Sequence, residues 1–143
     1  MSPSASLLSA KNFGRWVFSI SNEAVALEKA YLITKWLMER ASKFPKNRRY
    51  TLGTRIEDLS LDILLGLVEA SYVSRKQNLL RKTNLDLEKL RYLVRLSKDF
   101  GLLSIKQHEF ICKELTELGR QVGGWEKHQK QKESASEKTR QPV

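Results

Sequence analysis

His108 and Cys112 are the two side chains in this sequence whose types and spacing could bind a metal ion or attack an electrophile. They are four residues apart, so a helix would place them on the same side. A structural zinc site needs four ligands, however, and the other histidine, His128, lies in a polar segment far along the chain. His108 also continues an apolar spacing formed by Ile111, Leu115, Leu118 and Val122. We therefore expect a packed histidine beside a buried thiol, and no metal.

Other candidate catalytic arrangements have little support in the sequence. Asp58 and Asp62 are one helical turn apart, but the sequence indicates no cleft beside them. The glycines Gly53, Gly66 and Gly119 are single and far apart, so they form no phosphate-binding loop. We predict a protein that is not an enzyme and needs no cofactor. The alternative is a small enzyme that uses the Cys112 and His108 pair.

Basic side chains supply a different kind of chemistry, the binding of polyanions. The chain has 26 Lys and Arg residues against 16 Asp and Glu residues, a net charge of +10. Thirteen of the basic residues occur in three groups without intervening acidic residues, which are Lys43, Lys46, Arg48, Arg49 and Arg55; Arg75, Lys76, Arg81 and Lys82; and Lys89, Arg91, Arg95 and Lys98. Such groups neutralise phosphates and release counterions. No motif that recognises a base sequence accompanies these groups. We therefore predict that they bind the sugar-phosphate backbone of RNA and DNA.

The alternative explanation for the excess of basic residues is solubility. A face that serves only solubility usually carries both acidic and basic residues. Such a mixed face occurs further on, at Lys106, Glu109, Lys113, Glu117 and Arg120. We assign that face to solubility only. In the third basic group, the spacing of Arg91, Arg95 and Lys98 predicts a shared face that points away from the core.

Four helices can be predicted that would position these groups, over about residues 23–43, 52–75, 83–101 and 104–124. The first ends before Phe44-Pro45, because the residue before proline resists helical geometry. Thr83 with Asp86, and Ser104 with Gln107, have the spacing of capping boxes. Short connections favour an antiparallel up-down four-helix bundle, an all-α fold. Residues 22–125 are expected to form this bundle.

The two ends of the chain are predicted separately. Residues 1–21 form an N-terminal extension whose apolar residues leave both a strand and a short helix open. Residues 126–143 are rich in Lys, Gln, Glu and Ser without apolar periodicity, which predicts a disordered basic tail. The single cysteine excludes an internal disulfide. No apolar run of about 20 residues indicates a membrane span, and no signal peptide is recognised, so we expect a cytoplasmic protein.

The second predicted helix carries two apolar stripes. One consists of Ile56, Leu59, Ile63, Leu67 and Ala70, and the other of Leu61, Leu64, Leu65, Val68 and Tyr72. A helix that is apolar around most of its circumference needs partners around most of it. We expect the second stripe to form an interface between copies in a ring-like homo-oligomer. The alternative is a helix that lies centrally in its own bundle.

Several strings carry a resemblance to a known family. They are the run from Lys43 to Gly53, which includes Phe44, Pro45 and Lys46; the run Leu87–Leu96; and the run from Gly119 that ends in Gly123, Gly124 and Trp125. Together they resemble the accessory variability determinant (Avd) family of diversity-generating retroelements, over roughly residues 22–127. A related four-helix-bundle family, encoded by intervening sequences in ribosomal RNA genes, shares the Phe-Pro step. Its typical second-helix motif is absent here.

The resemblance implies a four-helix bundle that assembles into a homopentamer with a basic surface. It also implies association with the reverse transcriptase of the same element, and binding of template RNA and of cDNA or DNA. The complex would make mutagenic cDNA that diversifies a target gene, a process called mutagenic retrohoming. The accessory subunit itself would not be the polymerase. The alternative is an RNA-associated structural bundle without a polymerase partner.

Overall fold

A computed structural model describes the backbone of residues 10–140 and the side chains of residues 22–140. This part of the chain is helical and contains no strand. Its elements are α1 (Ala10–Ala41), the single turn α2 (Lys46–Arg48), a π-helical turn (Arg49–Gly53), α3 (Thr54–Tyr72), α4 (Gln77–Asp99) and α5 (Ile105–Arg140). The prediction of an all-α four-helix fold is confirmed.

The four long helices pack in a closed order around one core. Helix α1 contacts α3 and α5, and α4 contacts the same two helices from the opposite side. Because the connections are short, neighbouring helices run antiparallel. Each long helix contributes apolar side chains that are almost completely buried, such as Leu37, Leu67, Leu90 and Leu115. The surface residues therefore lie either along the four long helices or in the connections at the two ends of the bundle.

The ends of α4 and the start of α5 follow local sequence signals. Gly101 has a φ of 73° and its N–H donates to the carbonyl of Lys98, while Leu102 donates to the carbonyl of Ser97. This is the glycine-terminated ending that satisfies the last carbonyls of a helix. The capping box at the start of α5 is confirmed, since Ser104 and Gln107 exchange backbone-to-side-chain hydrogen bonds of 3.0 and 3.1 Å.

The predicted start of the third helix at Thr83 is wrong. Helix α4 begins at Gln77, and Thr83 lies buried inside it, where its hydroxyl donates to the carbonyl of Leu79 at 2.9 Å. Nothing between Gln77 and Thr83 breaks a helix, so the helix extends through the apparent capping signal. The second predicted helix is also shorter at its end, because α3 stops at Tyr72.

Both outer helices are longer than predicted. Helix α1 begins at Ala10. A strand and a short helix were both left open for the N-terminal extension, and its residues 10–21 form a helix. Helix α5 passes through Gly123 and Gly124 and continues to Arg140, so residues 126–140 are helical where a disordered tail was expected. Gln129 explains part of this, because it is only 4% exposed and donates to the carbonyl of Ser74.

The remaining residues of both predicted end segments, 1–9 and 141–143, lie outside the described part of the chain. The proposed domain boundaries after residues 21 and 125 stay predictions. Each of them falls within a continuous helix, α1 and α5 respectively.

Candidate nucleic-acid interface

The connection between α1 and α3 and the start of α3 carry a basic group whose members are exposed, except for half-buried Arg48. Buried Phe44 and Leu52 hold this connection against the bundle, and Pro45 precedes the single turn α2. The following π-helical turn leaves Tyr50 on the outside, 68% exposed. We call the five cations around it the α1–α3 cluster, which consists of Lys43, Lys46, Arg48, Arg49 and Arg55.

The α1–α3 cluster keeps its positive charge. Arg49 donates from Nη2 to the carbonyl of Ser42 at 2.7 Å, and the Arg48 guanidinium lies 4.0 Å from the centre of the Phe100 ring. None of the ion pairs found among residues 22–140 involves a member of this cluster. Two arginines are thus oriented by neutral partners while their charges remain available to a phosphate.

A groove of about 600 Å³ adjoins the cluster between α3 and α4. Its lining contains Tyr50, Thr51, Thr54, Arg55, Asp58, Leu59, Asp62 and Lys89. The sequence indicated no cleft beside Asp58 and Asp62, and the structure places this groove there. Lys89 lines the same groove as these two carboxylates, whereas the other members of the third basic group do not line it.

The second basic group is partly neutralised, by one acidic residue four positions away and by another that is distant in sequence. Lys82 pairs with Asp86 at 3.1 Å, and the hydrogen bond to Asp86 raises the pKa of Lys82. Arg81 approaches Glu126 at 4.0 Å, and Lys76 lies 5.3 Å from the ring centre of Trp125. Helix α5 thus brings an acid and an aromatic ring to this group, whose members Arg81 and Lys82 lie within α4 and not in the connection where they were expected. Exposed Arg75 is the remaining member of this group.

The third basic group does not form one outward face. The Arg91 guanidinium reaches across to α5, where Nη2 donates to the carbonyl of Leu115 at 3.3 Å. Gly119 makes this possible, because a Cβ there would lie 2.8 Å from Nη2. Lys98 is half-buried and approaches Asp99 at 3.7 Å, whereas Arg95 is exposed. The expectation of a shared face pointing away from the bundle therefore holds only for Arg95.

His108 and Cys112 are in contact, as expected from their spacing. Nε2 and Sγ are 3.2 Å apart, and both residues are half-buried. Burial raises the pKa of the Cys112 thiol, and the positive charges of Arg91 and Lys98 only partly oppose it. A thiol with a raised pKa is a poor nucleophile at neutral pH. Among the residues with described side chains, no group of three possible metal ligands is found.

The predicted oligomer stripe lies on the outer face of α3. Leu65 is 60% exposed and Tyr72 is 87% exposed, Val68 is also exposed, and Leu61 is half-buried. Leu64 differs from the other members, because it is half-buried and packs against the core of its own bundle. Helix α3 is therefore not central in its own bundle, which removes the alternative explanation for its second stripe. Helix α4 carries a similar exposed stripe that was not predicted, formed by Leu85, Tyr92 and Leu96. Their spacing of seven and four residues was the signal that could have identified it.

The residues of the family motifs fall into two places. Phe44, Pro45 and Lys46 form the connection after α1, where only Phe44 is buried. Trp125 packs against the edge of the core, while Gly123 and Gly124 have no atom near the position of a Cβ. The glycines thus lie in the interior of a helix without a close contact inside this chain.

Comparison with known proteins gives one match. No curated protein matches this sequence, and no solved structure matches it. None of the described helices has the length and hydropathy that a membrane span requires. A family model described as bAvd-like matches residues 24–129, which includes all of α3 and α4 and the α1–α3 cluster. On that match, together with the four-helix fold, the chain belongs to the bAvd-like family of accessory variability determinants.

Proposed function

We propose that this protein is a non-catalytic, nucleic-acid-binding accessory subunit of a retroelement reverse transcriptase. In this role it supports mutagenic cDNA synthesis and diversification of a target gene. It acts as a homo-oligomer, with the pentamer of the family as the expected form. Membership of the bAvd-like family supports the role, and the α1–α3 cluster supports the binding of nucleic acid.

The α1–α3 cluster is the observation that carries the proposal. Its cations lie at one end of the bundle without acidic partners among residues 22–140. Exposed Tyr50 adds an aromatic ring that can stack on an unpaired base. In a ring the cluster would repeat around one rim, so modest contacts would act together. The remaining proposed contacts, Arg75, Lys76, Arg81, Lys82, Arg91, Arg95 and Lys98, would extend the surface along the bundle.

The test is a charge reversal of the three cluster members whose side chains make no hydrogen bond, ion pair or cation–π contact among residues 22–140. We expect Lys43→Glu, Lys46→Glu and Arg55→Glu together to weaken binding of a single-stranded RNA strongly. The slope of log affinity against log salt should become shallower, by about 0.7 for each phosphate contact that is lost. Circular dichroism and light scattering should show an unchanged fold and assembly.

A matched control separates the cluster from the general charge. Lys35→Glu, Lys106→Glu and Lys113→Glu together change the net charge equally at exposed positions elsewhere. We expect this control to retain most of the RNA affinity. Equal losses in the two triple variants would refute a defined site. Co-purification with the reverse transcriptase should be measured for both, because RNA binding without this association would select the structural RNA-associated bundle.

A further inference from the structure

The outer face of α4 carries apolar side chains that the bundle does not cover. Tyr92 is 68% exposed and Leu85 is 55% exposed, and Leu96 is also exposed. They lie on the side of α4 opposite the core residues Leu87 and Val94, because their positions differ from these by about half a helical turn. We call them the α4 stripe, and the outer residues Leu61, Leu65, Val68 and Tyr72 the α3 stripe. One chain thus exposes two apolar stripes on neighbouring helices, a property typical of interaction surfaces.

The charges that flank the two stripes are opposite. Residues 56–74 contain Glu57, Asp58, Asp62 and Glu69 and no Lys or Arg. On α4, the charged residues that are exposed are four basic ones and two acidic ones, namely Arg81, Lys82, Lys89 and Arg95 against Glu88 and Asp99. A chain with a net charge of +10 therefore presents a negative α3 and a positive α4. Pairing α3 with α3, or α4 with α4, would oppose like charges, whereas pairing α3 with α4 satisfies both charge and apolar surface.

We propose that the α3 stripe of one copy packs on the α4 stripe of the next copy. The inference rests on the self-assembly included in the proposed function, and it identifies the two surfaces that meet. This contact is heterologous, because each copy uses two different faces. It also explains why α4 keeps large apolar side chains on a face that otherwise carries charged residues.

The positions of the two helices favour closure into a small ring. In a four-helix bundle with one helix at each corner, the outer faces of neighbouring helices diverge by about 90°. In a closed ring of five copies, the directions from one copy to its two neighbours differ by about 108°, and in a ring of four by about 90°. The angle between the two contact faces therefore fits the turn that a closed ring of four or five copies requires.

The experiment uses two single variants of the full chain. Leu65→Asp places a charge in the α3 stripe, and Tyr92→Asp places one in the α4 stripe. Both side chains are mostly exposed in the single bundle, so each variant should fold, as circular dichroism would show. Ile105→Asp is the control, since Ile105 is 71% exposed at the start of α5 and outside both stripes. Sedimentation at rising protein concentration measures the assembly.

We expect both stripe variants to be monomeric, while Ile105→Asp assembles like the parent. An equimolar mixture of Leu65→Asp and Tyr92→Asp should form a dimer and nothing larger, because each variant retains the face that the other lacks. A mixture that remains monomeric at every concentration, or a Tyr92→Asp variant that assembles normally, would overturn the inference. If either variant unfolds, Tyr72→Asp and Leu85→Asp replace them in the same mixing test.

RNA binding by the monomeric variants distinguishes this inference from the proposed function. The α1–α3 cluster is intact in both stripe variants, so each should bind RNA with the reduced affinity of a single copy. If the mixing test fails while RNA binding persists, only the pairing of α3 with α4 is refuted. If the parent protein neither assembles nor binds RNA, the proposed function fails as well.

Discussion

Replacement of Gly119 by alanine tests how Arg91 is held across α5. A Cβ at position 119 would lie 2.8 Å from Nη2 of Arg91, which is too close for the present contact. The clash involves the far end of a flexible side chain, so we expect the guanidinium to move into solvent and the backbone to stay. The hydrogen bond to the carbonyl of Leu115 would then be lost.

Two opposing effects set the expected change in the free energy of unfolding. Alanine is favoured over glycine inside a helix by about 1 kcal/mol. The hydrogen bond that is lost is long, 3.3 Å, and its donor side chain is 35% exposed. Its contribution should therefore be about 0.5–1 kcal/mol, the lower part of the usual range. Gly119→Ala is expected to change stability by less than about 0.5 kcal/mol in either direction.

Two comparisons isolate the contact. Gly123→Ala has no atom near its added Cβ and should stabilise the protein by about 1 kcal/mol. In an Arg91→Ala background, Gly119→Ala should stabilise by the same amount, because nothing remains to be displaced. Thermal and urea unfolding at one fixed protein concentration measure all variants, since assembly makes stability depend on concentration. If Gly119→Ala stabilises equally with and without Arg91, the contact contributes nothing.

Three further predictions concern the thiol of Cys112, the helix cap at Ser104 and the contact of Gln129 near the end of α5. Alkylation of Cys112 should accelerate at a higher pH than for a free cysteine, because burial raises its pKa; the same profile in folded and urea-unfolded protein would contradict this. Ser104→Ala should lower the free energy of unfolding by about 1 kcal/mol, whereas exposed Ser136→Ala, the control, should have little effect. Gln129→Ala should increase proteolysis of the end of α5 without changing RNA affinity; an unchanged cleavage pattern would argue against its role as an anchor.

Local signals predicted local structure, and long-range contacts account for most of what they missed. The capping box at Ser104 was recognisable because both partners lie within four residues. Thr83 has the same signal, but helix formation from Gln77 overrides it. The second basic group has no acidic residue within its own stretch of sequence, yet Glu126 approaches Arg81 in space. Such a partner could not be assigned before the path of α5 was known.

The basic groups that the sequence defines differ in how far the structure keeps their members together. The members of the α1–α3 cluster lie in or next to one short connection, whose start Phe44-Pro45 marks in the sequence. The group on α4 was expected to act together because Arg91, Arg95 and Lys98 share a helical spacing. The structure separates Arg91 from the other two, because Gly119 on α5 has no side chain and so leaves room for the Arg91 guanidinium.

The length of α5 has a consequence for the kinetics of hydrogen exchange along it. Its 36 residues extend about 54 Å, whereas the 19 residues of α3 extend about 28 Å. Beyond Gln129, nearly every side chain is exposed, so these last turns have no apolar support. A helix of about 11 residues is marginal by itself, because nucleation is unfavourable. Here the bundle supplies the nucleus, and amide protection should decline steadily from Gln129 to Arg140. A peptide of the same residues, released from the bundle, should be unfolded.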